Sequence, residues 1–184
     1  MNRDQNLKEY IEPRIEELTK SNLHLEAFYL YAATIEHILQ QSITYQENWI
    51  RFVLLKSRIK FEKSKTTSLE NKTLGELIKI FSQYCSEGQL ISELNEFNSF
   101  RKKVVHHILD NPIESLNKEA RLKGATYYKL LIKLHAYNIF ILEKLVKRSR
   151  RILKKTKSTV TNIRLQNPKL KPTFDDVDKK YIKI

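Results

Sequence analysis

Three glycines and four prolines in 184 residues leave little material for tight turns. A β-sandwich or barrel needs many such turns and a doubly wound α/β fold needs glycine-rich loops, so the composition points instead to long helices with few connections. The same scarcity removes phosphate-cradling loops, since neither G-x-x-x-x-G-K-[ST] nor G-x-G-x-x-G occurs. Cys85 is the single cysteine. No intrachain disulfide can form, and a thiolate metal site is disfavoured. No run of about 18 apolar residues is present to span a bilayer, and the opening Met1-Asn2-Arg3-Asp4-Gln5-Asn6 carries no apolar segment of a signal peptide. A cytoplasmic protein with no membrane span is the expectation.

What is present is a hydrophobic fraction of 41%, enough for a core, and 10% aromatics, which argues against disorder along most of the length. The formal charge of +13 is unevenly spread. Residues 144–184 hold 14 Lys/Arg against 3 Asp, whereas residues 1–143 hold 20 basic against 18 acidic side chains. The body is nearly neutral and the polycation is the C-terminal part. Such a segment is drawn to phosphate backbones or anionic lipid by a salt-sensitive, sequence-blind attraction, or else serves as a solvated end that favours solubility. The expected organisation is a helical domain over 1–150 and a basic, partly irregular tail over 151–184.

Hydrophobic periodicity predicts an all-α, up-and-down bundle of about five to six helices. Leu7, Ile11, Ile15 and Leu18 recur at helical spacing, with Pro13 capping or breaking what precedes it. A second helix is expected from Ser21 or Asn22. Around Ala32, the residues Leu25, Phe28, Tyr29, Ile35, Leu39, Ile43, Ile50, Val53 and Leu54 lie within about 60°, one buried stripe reaching toward Lys63 with a kink between Ser42 and Gln46. Lys63 to Ser68 reads as a loop. Thr73 is an N-cap with Glu76 three positions on, opening a short helix through Phe81 and Tyr84. Further helices are expected over Gln89–Leu109, Ile113–Lys123 and Ala125–Lys155, the last two separated by Gly124.

The chemistry concentrates on the Gln89–Leu109 segment. With Arg101 as reference, Leu90, Leu94, Phe97, Val104, Val105 and Ile108 fall within about 60° of it, so the guanidinium belongs to an apolar stripe. An unpaired charge there is costly and Arg does not give up its proton, so it needs an anion. Glu36, about 40° from the centre of its own helix's apolar face, is one candidate and a phosphate is the other. His106 projects about 140° away from Arg101, and histidine is the natural side chain for moving protons near neutrality. Within one chain the two diverge. They converge on one target only if Arg101 reaches around the helix, or if a second copy of the helix faces the first across a two-fold axis.

The run Glu93-Leu94-Asn95-Glu96-Phe97-Asn98-Ser99-Phe100-Arg101-Lys102-Lys103-Val104-Val105-His106-His107, following a helix with an Ile35-Glu36 step, resembles the HEPN superfamily over roughly residues 20–150. That resemblance implies an all-α, mostly antiparallel bundle and a metal-independent endoribonuclease without cofactor, often a toxin or phage-defence effector, acting as a homodimer. It assigns Arg101 and His106 to the motif's arginine and histidine; Glu36, Asn98 and Lys102 are the candidate supports beside them. The implied partners are RNA, a second copy, and an antitoxin or nucleotidyltransferase that silences the protein. Two positions depart from the family pattern. Lys102 stands where active members carry a small polar residue, and Ile108 stands where one toxin branch has a tyrosine that is nucleotidylated. Lys103, Lys147, Arg148, Arg150, Arg151, Lys154 and Lys155 are the candidate RNA contacts.

Simpler readings stand beside these. Arg101 paired to Glu36 can be purely structural, and His24, His37, His107 and His135 read as ordinary histidines. His106 and His107 face apart on a helix, and no H-E-x-x-H occurs, so no metal is expected. Tyr127, Tyr128, Tyr137 and Phe140 at loosely helical spacing read as core rather than a base-stacking platform. Trp49 suits a dimer interface, although nothing fixes it there. The alternative function is a non-catalytic helical module binding nucleic acid, a nucleotide or a protein. Attachment to an anionic membrane surface through residues 144–157 ranks lowest, because no full insertion face is evident there.

Overall fold

The structure, a computed structural model, describes residues 7–56, 68–107, 110 and 112–166. Among them are five α-helices and no strand: α1 Glu12–Lys20, α2 His24–Lys56, α3 Leu74–Phe81, α4 Gly88–His107 and α5 Ile113–Gln166. The fold is an all-α helical bundle, as the scarcity of turn residues predicts. A π-helical turn, Leu7–Ile11, precedes α1, and a 3-10 turn, Leu69–Asn71, precedes α3. The expected loop at Lys63 to Thr67, and Leu54 and Ile108 from the expected stripes, lie outside the residues whose side chains are described. The chain divides into two compact units, Met1–Thr44 with Lys65–Ile139, and Tyr45–Ser64 with Phe140–Ile184.

Local sequence accounts for most helix ends. Pro13 sits in the first turn of α1, where its missing N–H would have no intrahelical partner anyway. That helix closes in a Schellman turn: the Leu23 amide donates to the Leu18 carbonyl at 2.9 Å and the Asn22 amide to Thr19 at 3.1 Å. Asn22 adopts a positive φ of 59°, which asparagine tolerates better than most residues, so α2 begins at His24 rather than at Ser21 or Asn22. At α3 the Thr73–Glu76 capping box forms in both directions, and the helix stops at Phe81, leaving Tyr84 in the turn beyond. The helix expected from Gln89 begins one residue earlier, at Gly88.

Gly124 does not interrupt the last helix. A single helix of 54 residues replaces the two that were expected. A helix-interior glycine costs about 1 kcal/mol relative to alanine. Keeping α5 continuous holds Leu116 and Ala120 in register with Tyr127, Leu130 and Leu131, all buried, which outweighs that loss. The helix also continues past Lys155 to Gln166, because no glycine or proline stops it before Asn167-Pro168. Residues 151–166 of the expected partly irregular tail are therefore helical.

The core of the first unit is aromatic at its centre. Phe28 meets Phe100, Phe97 and Tyr127 at centroid distances of 4.9, 5.2 and 5.7 Å. Around it are packed Ile35, Leu39 and Ile43 of α2, Leu77 and Ile78 of α3, and Leu90 and Leu94 of α4. The stripe expected on α2 is only partly right. Tyr29, Ile50 and Val53 are exposed, while Ala27, Tyr31, Ile38 and Ser42 are buried beside the expected residues. A single-stripe wheel assumes one packed side, and the first half of α2 is covered over a wider arc than that. No break divides α2 between Ser42 and Gln46; Ser42 instead donates a buried hydrogen bond to Asn138 Oδ1 of α5 at 2.8 Å.

Asn117 of α5 ties the start of α2 down. Its Oδ1 accepts from the Leu25 amide at 2.9 Å and its Nδ2 donates to the Asn22 carbonyl at 2.8 Å, so a residue distant in sequence supplies the cap. Asn117→Ala strands both backbone groups and is expected to lower the unfolding free energy by about 1–2 kcal/mol in urea denaturation, with Asn117→Asp, which keeps the acceptor, losing less. Equal stability of wild type and Asn117→Ala would rule the clamp out.

Burial also sets an alkaline limit. It pushes the Tyr31 phenol up to about 12, with a smaller contribution from the charge of Tyr128, and drives Tyr127 and Tyr137 up further still. These phenols stay protonated in the fold at a pH where unfolded tyrosine, near pKa ~10, ionises. Their contribution is whole below about pH 10 and is lost as pH rises from there toward 12. Tyrosinate absorbance and helical circular dichroism are expected to change together for these three of the nine tyrosines. Independent ionisation of all nine before any loss of helix would contradict this.

Candidate functional site

On α4 the residues Leu90, Leu94, Phe97 and Val104 are fully buried, and Arg101 shares their side of the helix. The guanidinium is nevertheless not enclosed. Its side chain is 31% exposed, and Nη2 lies 3.8 Å from Oε2 of Glu36, itself 27% exposed, on α2. Toward the end of α4 the covered side narrows: Val104 is buried while Val105, expected on the same stripe, is 49% exposed. Arg101 covers the stripe with its methylenes and delivers its head to the rim. Phe100 is buried instead, through its contacts with Phe28 and Tyr127. The 3.8 Å separation is an ion contact longer than a hydrogen bond, and a pair this exposed contributes roughly 0–1 kcal/mol. Glu36 neutralises Arg101 without occupying its N–H donors.

His106 is exposed on the same helix. It stands about 7.5 Å further along the axis and about 140° around from Arg101, so the two side chains of one chain diverge as the spacing predicts. Lys102, between them in sequence, is exposed. Asn98 points elsewhere: it is buried, and its Nδ2 lies 3.2 Å from where a Cβ on Gly75 of α3 would stand, while its Oδ1 has no hydrogen-bond partner. It sits against α3.

The candidate RNA contacts fall into two groups. Lys103 is held by Glu119 of α5 at 2.6 Å, in a row of α4–α5 ion pairs with Lys123–Glu96 at 3.4 Å and Lys133–Glu93 at 2.9 Å. Arg148, Arg150, Arg151 and Lys154 project from α5 into solvent, and Lys147 is only loosely paired with Glu143 at 3.4 Å. The Lys155 side chain lies outside the described residues.

One aromatic joins this second group. Tyr127 and Tyr137 are buried, as expected of core, but Tyr128 and Phe140 are exposed, Phe140 by 57%. The wheel through Tyr127 and Tyr137 does not carry them inward, because Phe140 falls on the opposite side of α5 from Ile141 and Leu145. Lys144 Nζ lies 5.6 Å from the Phe140 ring centroid. At 100° per residue Phe140, Lys144, Lys147, Arg151 and Lys154 share an arc of about 80°, a strip about 21 Å long. Their spacing was the available signal for Phe140.

Trp49 stacks at a tilt on Phe52, 5.8 Å between centroids, and His37 pairs with Gln41. Among the described residues no group of three or more His, Cys, Asp or Glu is placed to hold a metal ion, and no helix is long and apolar enough to cross a membrane. Compared with known proteins, the chain matches no family profile, no curated protein and no solved structure.

Proposed function

We propose that the chain is a HEPN-type, metal-independent endoribonuclease that works as a homodimer, in the role of a toxin or defence effector. The observation that carries this is Arg101: a rim guanidinium held only at 3.8 Å by Glu36, on the same helix as an exposed histidine. Its donors are available to a phosphate that displaces Glu36. His106 of one chain takes the proton from the RNA 2′-hydroxyl as that oxygen bonds to phosphorus, and the P–O5′ bond breaks. The leaving 5′-oxygen takes a proton from water, and the imidazolium returns its own to the hydroxide so formed, giving a cyclic phosphate and a free 5′-hydroxyl. Arg101 stabilises the added negative charge on pentacoordinate phosphorus. DNA lacks the nucleophile. The basic strip of α5 supplies sequence-blind attraction to the backbone, and Phe140 a surface on which a base can stack.

The test is degradation of mixed RNA in excess chelator by wild type and His106→Ala, with a loss of about 10²–10⁴-fold expected. Undiminished cleavage by the variant overturns the assignment. Expression of the wild type is expected to arrest growth, relieved by Arg101→Ala. The strip centred on Phe140 and Lys144 also favours a second reading, a non-catalytic nucleic-acid-binding module, which predicts RNA binding without cleavage and no growth arrest.

A further inference from the structure

A cleft of about 610 Å³ opens between α1, the start of α2 and α5, in the size range of small-molecule sites. Its floor is apolar, with Ile15 and Ala27 buried. Most of its polar groups are already matched. Glu16 pairs with Lys20 at 2.6 Å, the Thr19 hydroxyl donates to the Ile15 carbonyl at 2.8 Å, and the Glu12 carboxylate stands near enough to Tyr128 to help hold its phenol protonated. Two are left over. Arg121 has no ion pair or hydrogen bond among the described residues, and Nε2 of His24 is buried without a partner. A buried ring nitrogen lacking a partner asks for one, and an unmatched guanidinium beside an apolar floor is a seat for an anion.

Gly124 lines the same cleft and gives the second reason. A Cβ built there meets nothing within 4 Å, so no neighbour requires glycine, and its φ is not positive. An isolated glycine in a helix that neither packing nor backbone conformation demands leaves the wall of α5 open where a side chain would fill the cleft.

We infer that this cleft binds a small amphipathic anion, its aromatic or aliphatic body over Ile15, Ala27 and Gly124, its one negative group on Arg121 and a polar atom against His24. The inference is independent of the ribonuclease reading.

The probe is 1-anilinonaphthalene-8-sulfonate, an aromatic monoanion, titrated by fluorescence into the full chain at physiological salt. One saturable site per chain is expected. Arg121→Ala is expected to weaken it by about tenfold or more, as loss of a charge-assisted contact does. Gly124→Leu, whose side chain enters open space and favours helix, is expected to abolish binding with no fall in melting temperature; Ala125→Leu serves as a second filler should that variant melt lower. The uncharged N-phenyl-1-naphthylamine is expected to bind regardless of Arg121 and to be lost on filling. Lys79→Ala, on α3 and outside the cleft lining, is expected to change nothing. Equal affinity in wild type and Arg121→Ala, or in wild type and both fillers, overturns the site, and so does a loss in Lys79→Ala matching that in Arg121→Ala.

Discussion

A mixture of Arg101→Ala and His106→Ala chains, unfolded and refolded together in equal amounts, is expected to recover about a quarter of wild-type RNA cleavage although each variant alone has lost it. Alone, each is expected to fall by about 10²–10⁴-fold, the range for removing a proton-transfer group or a charge-stabilising donor. The recovery follows from the divergence on α4. With the side chains about 140° apart, one chain cannot present both to one phosphate, so each site draws Arg101 from one protomer and His106 from the other. About half the refolded dimers are mixed, and each mixed dimer holds one complete site of two. Verified mixed dimers with no cleavage would show that both residues must come from the same chain. Arg101→Lys, which keeps the charge and loses the planar fork, is expected to fall between wild type and Arg101→Ala.

Phe28→Ala carries the largest expected loss of stability, about 3–5 kcal/mol. Phe28 is almost wholly buried and touches three aromatic rings from α4 and α5, so truncation removes its own burial and leaves a cavity that the rigid rings around it cannot close. The melting temperature is expected to drop by roughly 10 °C or more for a chain of this length. Phe140→Ala, the same chemical change at an exposed position, is expected to stay within about 0.5 kcal/mol of wild type. Similar losses in the two variants would mean that the burial contrast between them is wrong.

Local chemistry was readable before the fold was known. The Thr73–Glu76 box and the stop before Asn167-Pro168 depend on a few neighbouring residues, so sequence alone specifies them. The facing of Glu36 and Arg101 was also legible, since each lies on the apolar side of its own helix and those sides meet in a bundle. What wheels cannot supply is how many neighbours a helix has. Tyr31 and Ile38 are buried because the first half of α2 is covered over more than one stripe, and Val105 is exposed, with Val104 beside it buried, because cover at the end of α4 lies on the Phe100 side of Arg101. Gly124 misled for a related reason, as its local penalty is small against the burial on either side. Arg121 and His24 share a cleft only once three helices are placed, so no spacing rule could have joined them.

The clamp by Asn117 has a consequence for how the molecule is made. The backbone groups it satisfies belong to Asn22 and Leu25, more than ninety positions earlier in the chain. During synthesis the junction between α1 and α2 therefore waits, with its amide and carbonyl bonded to water, until residue 117 has left the ribosome. Closing so long a loop carries an entropic penalty that grows slowly with length, about 0.6 kcal/mol per doubling, so the delay is one of order more than of difficulty. The α1–α2 junction acquires its final form late, and a chain halted before residue 117 lacks the side chain that completes it.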